Sequence, residues 1–449
     1  MLDLLFQLFP IGDAELIKSR SAVFYGWWVA LTAALGLFLG PIPIMVFSFS
    51  VFLKPLTQSF HSGRGAVSFA FMLHNIVAGI SVPFAGWLID RFGARRVILP
   101  SMIMVGLVLV LSKFCTGKIW QLYAFYVAVG FFTCGSGPLP YSRVVSHWFD
   151  RYRGLALGLM MLGLGLGAFI MPSLAQYLIA RIGWQFTYGI VGAGALLVSL
   201  PVVATFLKDD PEEMGVLPDG VLSARGAVQP EDEATNRGMS WYEAWHTRTF
   251  WLLLSSFILV AASVHACFTQ MAAILADRGS PAQIGALASS LLGGGVLIGR
   301  TGSGYLLDRF FAPHVAALIF AAAAVGMGLL RVGSSPELAF AAAFLIGLGL
   351  GAEGDIIPYL TSRYFGLRSF GKIAGFTFAG FTLAGGLGAY VMGAAFDARG
   401  SYVIPLVFCC LAALTGAALM MGVGPYRYGV AAVIEPGPEQ GILELPAQL

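Results

Sequence analysis

Long apolar runs constrain this chain more than any other feature. Twelve can be marked, at approximately Gly26–Phe52, Ala66–Ile89, Val97–Ser112, Ile119–His147, Gly154–Ile179, Trp184–Leu207, Thr249–Ala276, Ile284–Leu307, Val315–Leu330, Leu338–Tyr364, Ile373–Phe396 and Val403–Gly422. Each approaches or exceeds the roughly 20 residues that carry a helix across the hydrocarbon core of a bilayer. Lipid cannot satisfy unpaired backbone groups, so these runs must be helical. An outer-membrane barrel would show weaker alternating segments of about ten residues. The expected fold class is therefore all-α and membrane-embedded, with twelve transmembrane helices in two six-helix halves.

Composition agrees. Of 449 residues, 58% are hydrophobic and 11% charged, against about 25% charged in soluble domains. A soluble enzyme, a nucleic-acid binder and a disordered chain are excluded. The net charge of +3 offers no basic surface for nucleic acid. All five cysteines fall inside apolar runs without metal-ligand spacing and read as small core residues. No metal and no cofactor is expected. No Gly-x-x-x-x-Gly-Lys-Ser/Thr motif is present, which argues against ATP drive. Leu2 to Phe9 is too short for a signal peptide and reads as a segment lying on the membrane surface.

One long polar stretch, Lys208 to His246, interrupts the runs with nine acids and several prolines and glycines. It reads as a linker, with a short amphipathic helix near Trp241 to Trp245. The chain thus divides into an N-terminal segment (1–24), a first half (25–207), a linker (208–247), a second half (248–423) and a tail (424–449). With both termini cytoplasmic, the cytoplasmic segments hold 16 Lys and Arg and the outer loops 8, while Arg143 and Arg300 lie inside spans. That bias favours this orientation, in the inner cell membrane.

The halves repeat one another. Gly86-Trp-Leu-Ile-Asp-Arg-Phe-Gly-Ala-Arg-Arg-Val97 returns as Gly304-Tyr-Leu-Leu-Asp-Arg-Phe-Phe-Ala-Pro-His-Val315, seven of twelve positions identical at an offset of 218. The same offset pairs Pro140-Tyr141 with Pro358-Tyr359, and an offset of 217 pairs Gly154 and Gly158 with Gly371 and Gly375. Two parallel halves are a transporter architecture with its site near the bilayer midplane.

The loop residues Gly86, Asp90, Arg91, Gly93, Arg95 and Arg96 resemble the signature between helices 2 and 3 of the major facilitator superfamily, and the resemblance runs from about Gly26 to Gly422. A narrower resemblance is to the monocarboxylate porter family and its bacterial relatives, including oxalate/formate antiporters. Trp148-Phe-Asp-Arg-Tyr-Arg-Gly-Leu-Ala-Leu-Gly-Leu-Met-Met-Leu-Gly163 matches that family's motif entering helix 5 at Phe149, Arg153, Leu155, Ala156, Gly158 and Gly163. Tyr25-Gly-Trp-Trp28 looks like its helix 1 motif, and Arg300 with Gly304 fits its helix 8 pattern. The sequence departs from mammalian members at Val296 and Phe47, where they carry an aspartate and a lysine, and Lys372 lies at a helix mouth rather than within helix 11. The coupling residues of those members are therefore not present here.

Ionisable groups inside a span are costly and mark function or a paired structural role. From the cytoplasmic ends, helix rise places Arg300 about 12 Å deep, Asp355 about 15 Å, Glu353 about 18 Å and His265 about 24 Å. The matching depths of the first half hold Val82, Gly137 and Gly135, so the polar site is asymmetric. Arg300 offers a planar fork to a carboxylate; a permanent bridge to Asp355 or Glu353 is the structural alternative. Glu353 and Asp355, two residues apart, point to different helix faces. Desolvation favours a neutral carboxyl, so either acid, or His265, is a candidate for proton exchange. Gln270, Tyr359 and His265 are candidate hydrogen-bonding groups for a ligand; His74 and Asn75 are weaker ones. Arg143 is expected to snorkel or to pair with helix 10.

A cytoplasmic gate is expected from Asp90, Arg91, Arg95, Arg153, Asp308 and Arg309. The superfamily resemblance implies that Asp90 caps helix 11 near Gly371 and Asp308 caps helix 5 near Gly154, closing that side. Gly163/Gly167 and Gly295/Gly299 have the spacing for close helix contact. Gly40-Pro-Ile-Pro43 and Gly137-Pro-Leu-Pro140 are expected to bend helices 1 and 4. Together these features point to a secondary carrier of a small organic anion, a monocarboxylate, with protons as the coupling ion, embedded in lipid as a monomer, with a dimer as the alternative. A proton-coupled carrier of a non-carboxylate solute or drug, and a non-transporting receptor with a carrier fold, are the rivals.

Overall fold

The computed structural model of the chain describes residues 24–149, 152–214, 216, 218, 238–332, 335–366 and 368–427; the side chains of Glu213 and Asp308 are outside the description. The expected segment at Leu2 to Phe9, most of the linker and most of the tail lie outside the described residues. Eleven continuous helical stretches are long and apolar enough to cross a membrane. One of them, Arg153–Phe206, has 54 residues and would reach about 80 Å if straight. It breaks at Gly183, whose φ of 82° and ψ of 168° are not helical. The break supplies the fifth and sixth spans, and the total is twelve.

Span 1 comprises Tyr25–Phe38, a π-turn at Pro43–Phe47 and Phe49–Ser59. Span 2 is Arg64–Phe92 and span 3 Ala94–Leu111. Span 4 is Ile119–Ser136 followed by Pro138–Trp148, with Gly137 extended between them. Spans 5 and 6 lie on either side of Gly183. The second half holds span 7 (Arg248–Asp277), span 8 (Ala282–Arg309), span 9 (Ala312–Val332), span 10 (Pro336–Phe365), span 11 (Phe370–Arg399) and span 12 (Val403–Met421). The proline-rich stretches of spans 1 and 4 therefore interrupt their helices, as their missing amide hydrogens require.

Each half has six spans, so the start of span 1, the linker and the end of span 12 share one face, here the linker face. The opposite side is the far face. Span 2 packs on span 11, span 5 on span 8, and the second helix of span 1 on span 7. Bulky apolar side chains such as Ile80, Leu197, Leu318 and Phe408 are 67–76% exposed, which a bilayer accommodates and water does not.

Small residues set the closest approaches. A Cβ on Gly295 or Gly299 of span 8 would lie 2.4 Å from the carbonyl of Phe344 or Leu348, and one on Gly347 or Gly351 of span 10 would lie 2.1–2.2 Å from a span 8 carbonyl. The expected contact at Gly295/Gly299 is thus matched by a reciprocal pair on span 10. Gly163 and Gly167 of span 5 do the same against Ala34 and Pro43 of span 1.

The linker returns to the membrane through the expected helix Trp241–Trp245. Ser240 and Glu243 form a capping box at its start. Trp241 lies 5.4 Å from Phe376 of span 11, and Trp245 5.5 Å from Phe250 of span 7. The start of the linker is tied down by Asp209, which accepts the Arg95 amide at 2.8 Å.

Candidate functional site

Arg300 lies on span 8, one turn below the glycine seam that draws spans 8 and 10 together. Its Nε is 3.7 Å from Asp355 Oδ2 on span 10, and the two side chains are 30% and 38% exposed. That distance is too long for a hydrogen bond, and among the described residues Arg300 Nε has no hydrogen-bond partner. One terminal nitrogen donates to the thioether of Met161 on span 5, at 3.4 Å. Arg300 therefore sits where the two halves meet, with a loose counter-charge and donors to spare.

The two acids of span 10 face different surroundings. Asp355 looks toward Arg300 and is partly open. Glu353 is fully buried, and neither of its oxygens has a hydrogen-bond partner among the described residues. His265 of span 7 is also buried. Its Nδ1 lies 2.9 Å from the Ala261 carbonyl; a carbonyl only accepts, so the proton sits on Nδ1 and Nε2 is left as an acceptor. The ring packs edge-on against Phe268 and Phe381 and leaves no room for a side chain at Gly385.

Phe268 in turn meets Phe47 of span 1 at 6.0 Å and Phe71 of span 2 at 6.3 Å. These rings form an apolar plug between the halves. Beyond the plug, toward the far face, lies a polar seal. Arg64 of span 2 donates twice to Asp277 of span 7, at 2.5 and 2.9 Å, and Lys54 of span 1 pairs with the same carboxylate at 2.7 Å. Asp397 of span 11 accepts the Arg64 and Gly65 amides at 2.9 and 2.7 Å, at the otherwise unpaired start of span 2. Arg64 also donates to Tyr402 and lies over the Phe396 ring. Ser50 and Ser289 share a hydrogen bond of 2.8 Å, and so do Ser173 and Ser290. Every one of these contacts joins the first half to the second.

Gln270 belongs to this seal and not to the region of Arg300. Its Nε2 donates to Ser68 and its Oε1 accepts from Tyr402, so both ends of the amide are engaged. Tyr359 is also placed elsewhere: its hydroxyl donates to the Leu307 carbonyl at 2.9 Å and accepts from Arg363, tying span 10 to span 8 near the linker face. The structure thus brings Arg300 and Asp355 together, sets His265 at the plug, and puts Gln270 and Tyr359 to other uses. Asn75 bonds back to the Phe71 carbonyl of its own helix.

The linker face is different. A Cβ added at Gly86, Gly304, Gly154, Gly371, Gly158 or Gly375, the three repeat-related pairs, would meet nothing within 4 Å. Asp90 does not cap span 11 in this conformation. It accepts from Arg143 of span 4, within its own half, which also corrects the expected pairing of Arg143 with span 10. Arg91 lies over Trp87 and Phe92, Arg309 over Tyr305, and Arg153 Nε donates to the Phe149 carbonyl. The Arg95 guanidinium donates to the Ala204 carbonyl. The Asp308 side chain lies outside the described residues. The expected gate residues thus make contacts within their own half. The molecule is closed on the far face and open on the linker face.

The residues of the far-face seal were missed by sequence reasoning. A signal existed: the far-face helix ends of the first half carry Lys54 and Arg64, and those of the second half Asp277 and Asp397. Among the described residues, no group of three or more His, Cys, Asp or Glu side chains could hold a metal.

Two repeated six-span halves, sealed together on one face and parted on the other around a half-exposed ion pair, define a secondary active carrier that works by alternating access. The chain belongs to the Major Facilitator Superfamily, whose model matches residues 27–389. It is 23% identical over 413 residues to monocarboxylate transporter 11 of Mus musculus, covering 88% of this chain and 87% of that protein. It is 26% identical over 166 residues to the MFS-type transporter YcxA of Bacillus subtilis (strain 168), covering 36% of this chain and 40% of the length of YcxA. Among solved structures, the D-xylose-proton symporter superposes with a TM-score of 0.66 at 13% identity, covering 89% of this chain and 98% of that one; at that identity the likeness concerns the fold alone.

Proposed function

We propose that this carrier moves a small monocarboxylate together with a proton, without altering it chemically, in the inner cell membrane with both termini cytoplasmic. The observation that carries the reading is the loose Arg300–Asp355 pair at the junction of the halves. A substrate carboxylate can take the planar face of the guanidinium in two hydrogen bonds. Asp355 is then displaced and, left without its counter-charge in a partly desolvated site, takes up a proton. The empty pair is neutral, and so is the pair carrying one monoanion and one proton. Neither loading leaves a net charge to be moved through the apolar plug. Likeness to monocarboxylate transporter 11 over most of both chains supports the same substrate class.

With the cytoplasmic orientation, the conformation is inward-open. The cycle then requires the far-face seal to break while the linker face closes, with Asp90 and Asp308 moving onto spans 11 and 5. One chain contains both halves of the site, in keeping with a monomer. The test is uptake of labelled carboxylates into proteoliposomes with and without an inward proton gradient. Wild type should accumulate at least one monocarboxylate when the gradient is present. Arg300→Gln should lose binding and uptake alike. Asp355→Asn should retain exchange but lose gradient-driven accumulation. Equal uptake by wild type and Arg300→Gln would point instead to a non-carboxylate solute.

A further inference from the structure

We infer that an anionic phospholipid binds in the groove between spans 2, 3 and 4 on the linker face, its acyl chain in the groove and its phosphate on Arg96. The groove has a volume of about 360 Å³ and runs along span 3 from Arg96 to Met104. Eight residues of helix cover about 12 Å, close to the roughly 15 Å of one leaflet's hydrocarbon. Its walls are apolar and aromatic: Phe84 of span 2 and Phe131 of span 4 have ring centroids 6.1 Å apart, and both are at least 40% exposed. Its floor is closed where span 4 meets span 3, since a Cβ on Gly135 would fall 2.1 Å from the Ser101 hydroxyl. The shape suits a hydrocarbon chain entering from the side.

The mouth selects the headgroup. Arg96 stands in the first turn of span 3, at headgroup depth, exposed and lining the groove. Its two arginine neighbours are occupied, Arg91 by Trp87 and Phe92 and Arg95 by Ala204. Arg96 has no hydrogen bond, ion pair or ring contact among the described residues. No carboxylate lines the groove, and Asp90, at the end of span 2, is already paired with Arg143. A guanidinium alone at the mouth accommodates a lipid phosphate and offers nothing to an ammonium headgroup. Basic pockets between helices bind anionic headgroups on this physical ground. All three walls belong to the first half, so the lipid stays bound as the halves rock.

Cys134 lies inside the groove and its exposure reports occupancy. The experiment follows alkylation of the purified full chain by N-ethylmaleimide in detergent micelles doped with phosphatidylglycerol or phosphatidylcholine. Peptide mass spectrometry reads Cys134, with Cys115 of the far-face loop as the internal control. Phosphatidylglycerol should slow alkylation of Cys134 but not Cys115, at about one-fifth of the concentration that phosphatidylcholine needs. Arg96→Gln should erase the difference between the two lipids, and Arg96→Lys should keep it. Equal protection by both lipids in wild type, or an unchanged preference in Arg96→Gln, overturns the proposal. Since Arg96 is exposed and unpaired, neither variant threatens folding.

Discussion

The far face and the linker face are built from the same repeated spans, yet they hold the two halves in opposite ways. On the far face, Arg64, Lys54, Asp277, Asp397 and Tyr402 form one connected set of charge-assisted bonds across the halves. Below it, the glycines approach neighbouring backbone: a Cβ on Gly293 would sit 2.2 Å from the Ala168 carbonyl across the interface. On the linker face, repeat-related glycines face open space and the charged residues pair within their own half. The contrast teaches where the energy of this conformation resides. Charged hydrogen bonds are worth about 1.5–3 kcal/mol each, and they lie on one side only. To change state, the molecule must exchange them for contacts on the other.

Four experiments sharpen or break this comparison. The largest effect is expected from a covalent lock. With cysteines in place of Ser50 and Ser289, whose hydroxyls are 2.8 Å apart across the halves, oxidation with copper phenanthroline should abolish transport and a reductant should restore it. Undiminished transport by the cross-linked protein would show that the far face does not open there. Next is Gly375→Leu, which meets no neighbour in the open form. It should leave the melting temperature nearly unchanged while lowering transport by roughly 10–100-fold, because overpacking costs about 1–3 kcal/mol once the face closes. A large drop in melting temperature would mean the position is already packed.

Asp277→Asn comes third. Lys54 and Arg64 both lose their counter-charge, so the far face should loosen by about 1.5–3 kcal/mol. Distances between spin labels on the far-face ends of spans 1 and 7 should show a population parted on that face. An unchanged distance distribution would assign the closure to the apolar plug instead. The smallest effect is expected from Glu353→Gln. A buried carboxyl with no partner is tolerated in its neutral form, which glutamine imitates. Stability should stay within about 0.5 kcal/mol and proton-driven uptake should persist. Loss of coupling in this variant, with Asp355→Asn unaffected, would reverse the roles of the two acids.

Much of the fold was legible in the sequence, because the bilayer enforces it locally. Apolar length gave the twelve spans, and the proline clusters marked the breaks in spans 1 and 4. The merged stretch Arg153–Phe206 was separable at Gly183 even though its helix geometry is nearly continuous. Arg300 and Asp355 could be paired on depth alone, since both are measured from the same face. Gln270 and Tyr359 could not be placed that way. Depth says nothing of which way a side chain turns, and both turn toward partners on other spans. The Arg64–Asp277 seal was missed for the same reason: its members are 213 residues apart and look like ordinary loop-edge charges when read singly.

By itself, the sequence determined what short-range chemistry can enforce: helices wherever backbone must satisfy itself in lipid, two halves wherever a motif repeats, and the residue types able to meet an anion. Tertiary structure decided which of those residues share a space. It turned Asp355 toward Arg300 and Glu353 away, joined Asp90 to Arg143, and brought Arg64 to Asp277. These choices depend on how helices from distant parts of the chain rotate and approach, and glycine seams, not hydropathy, govern that approach.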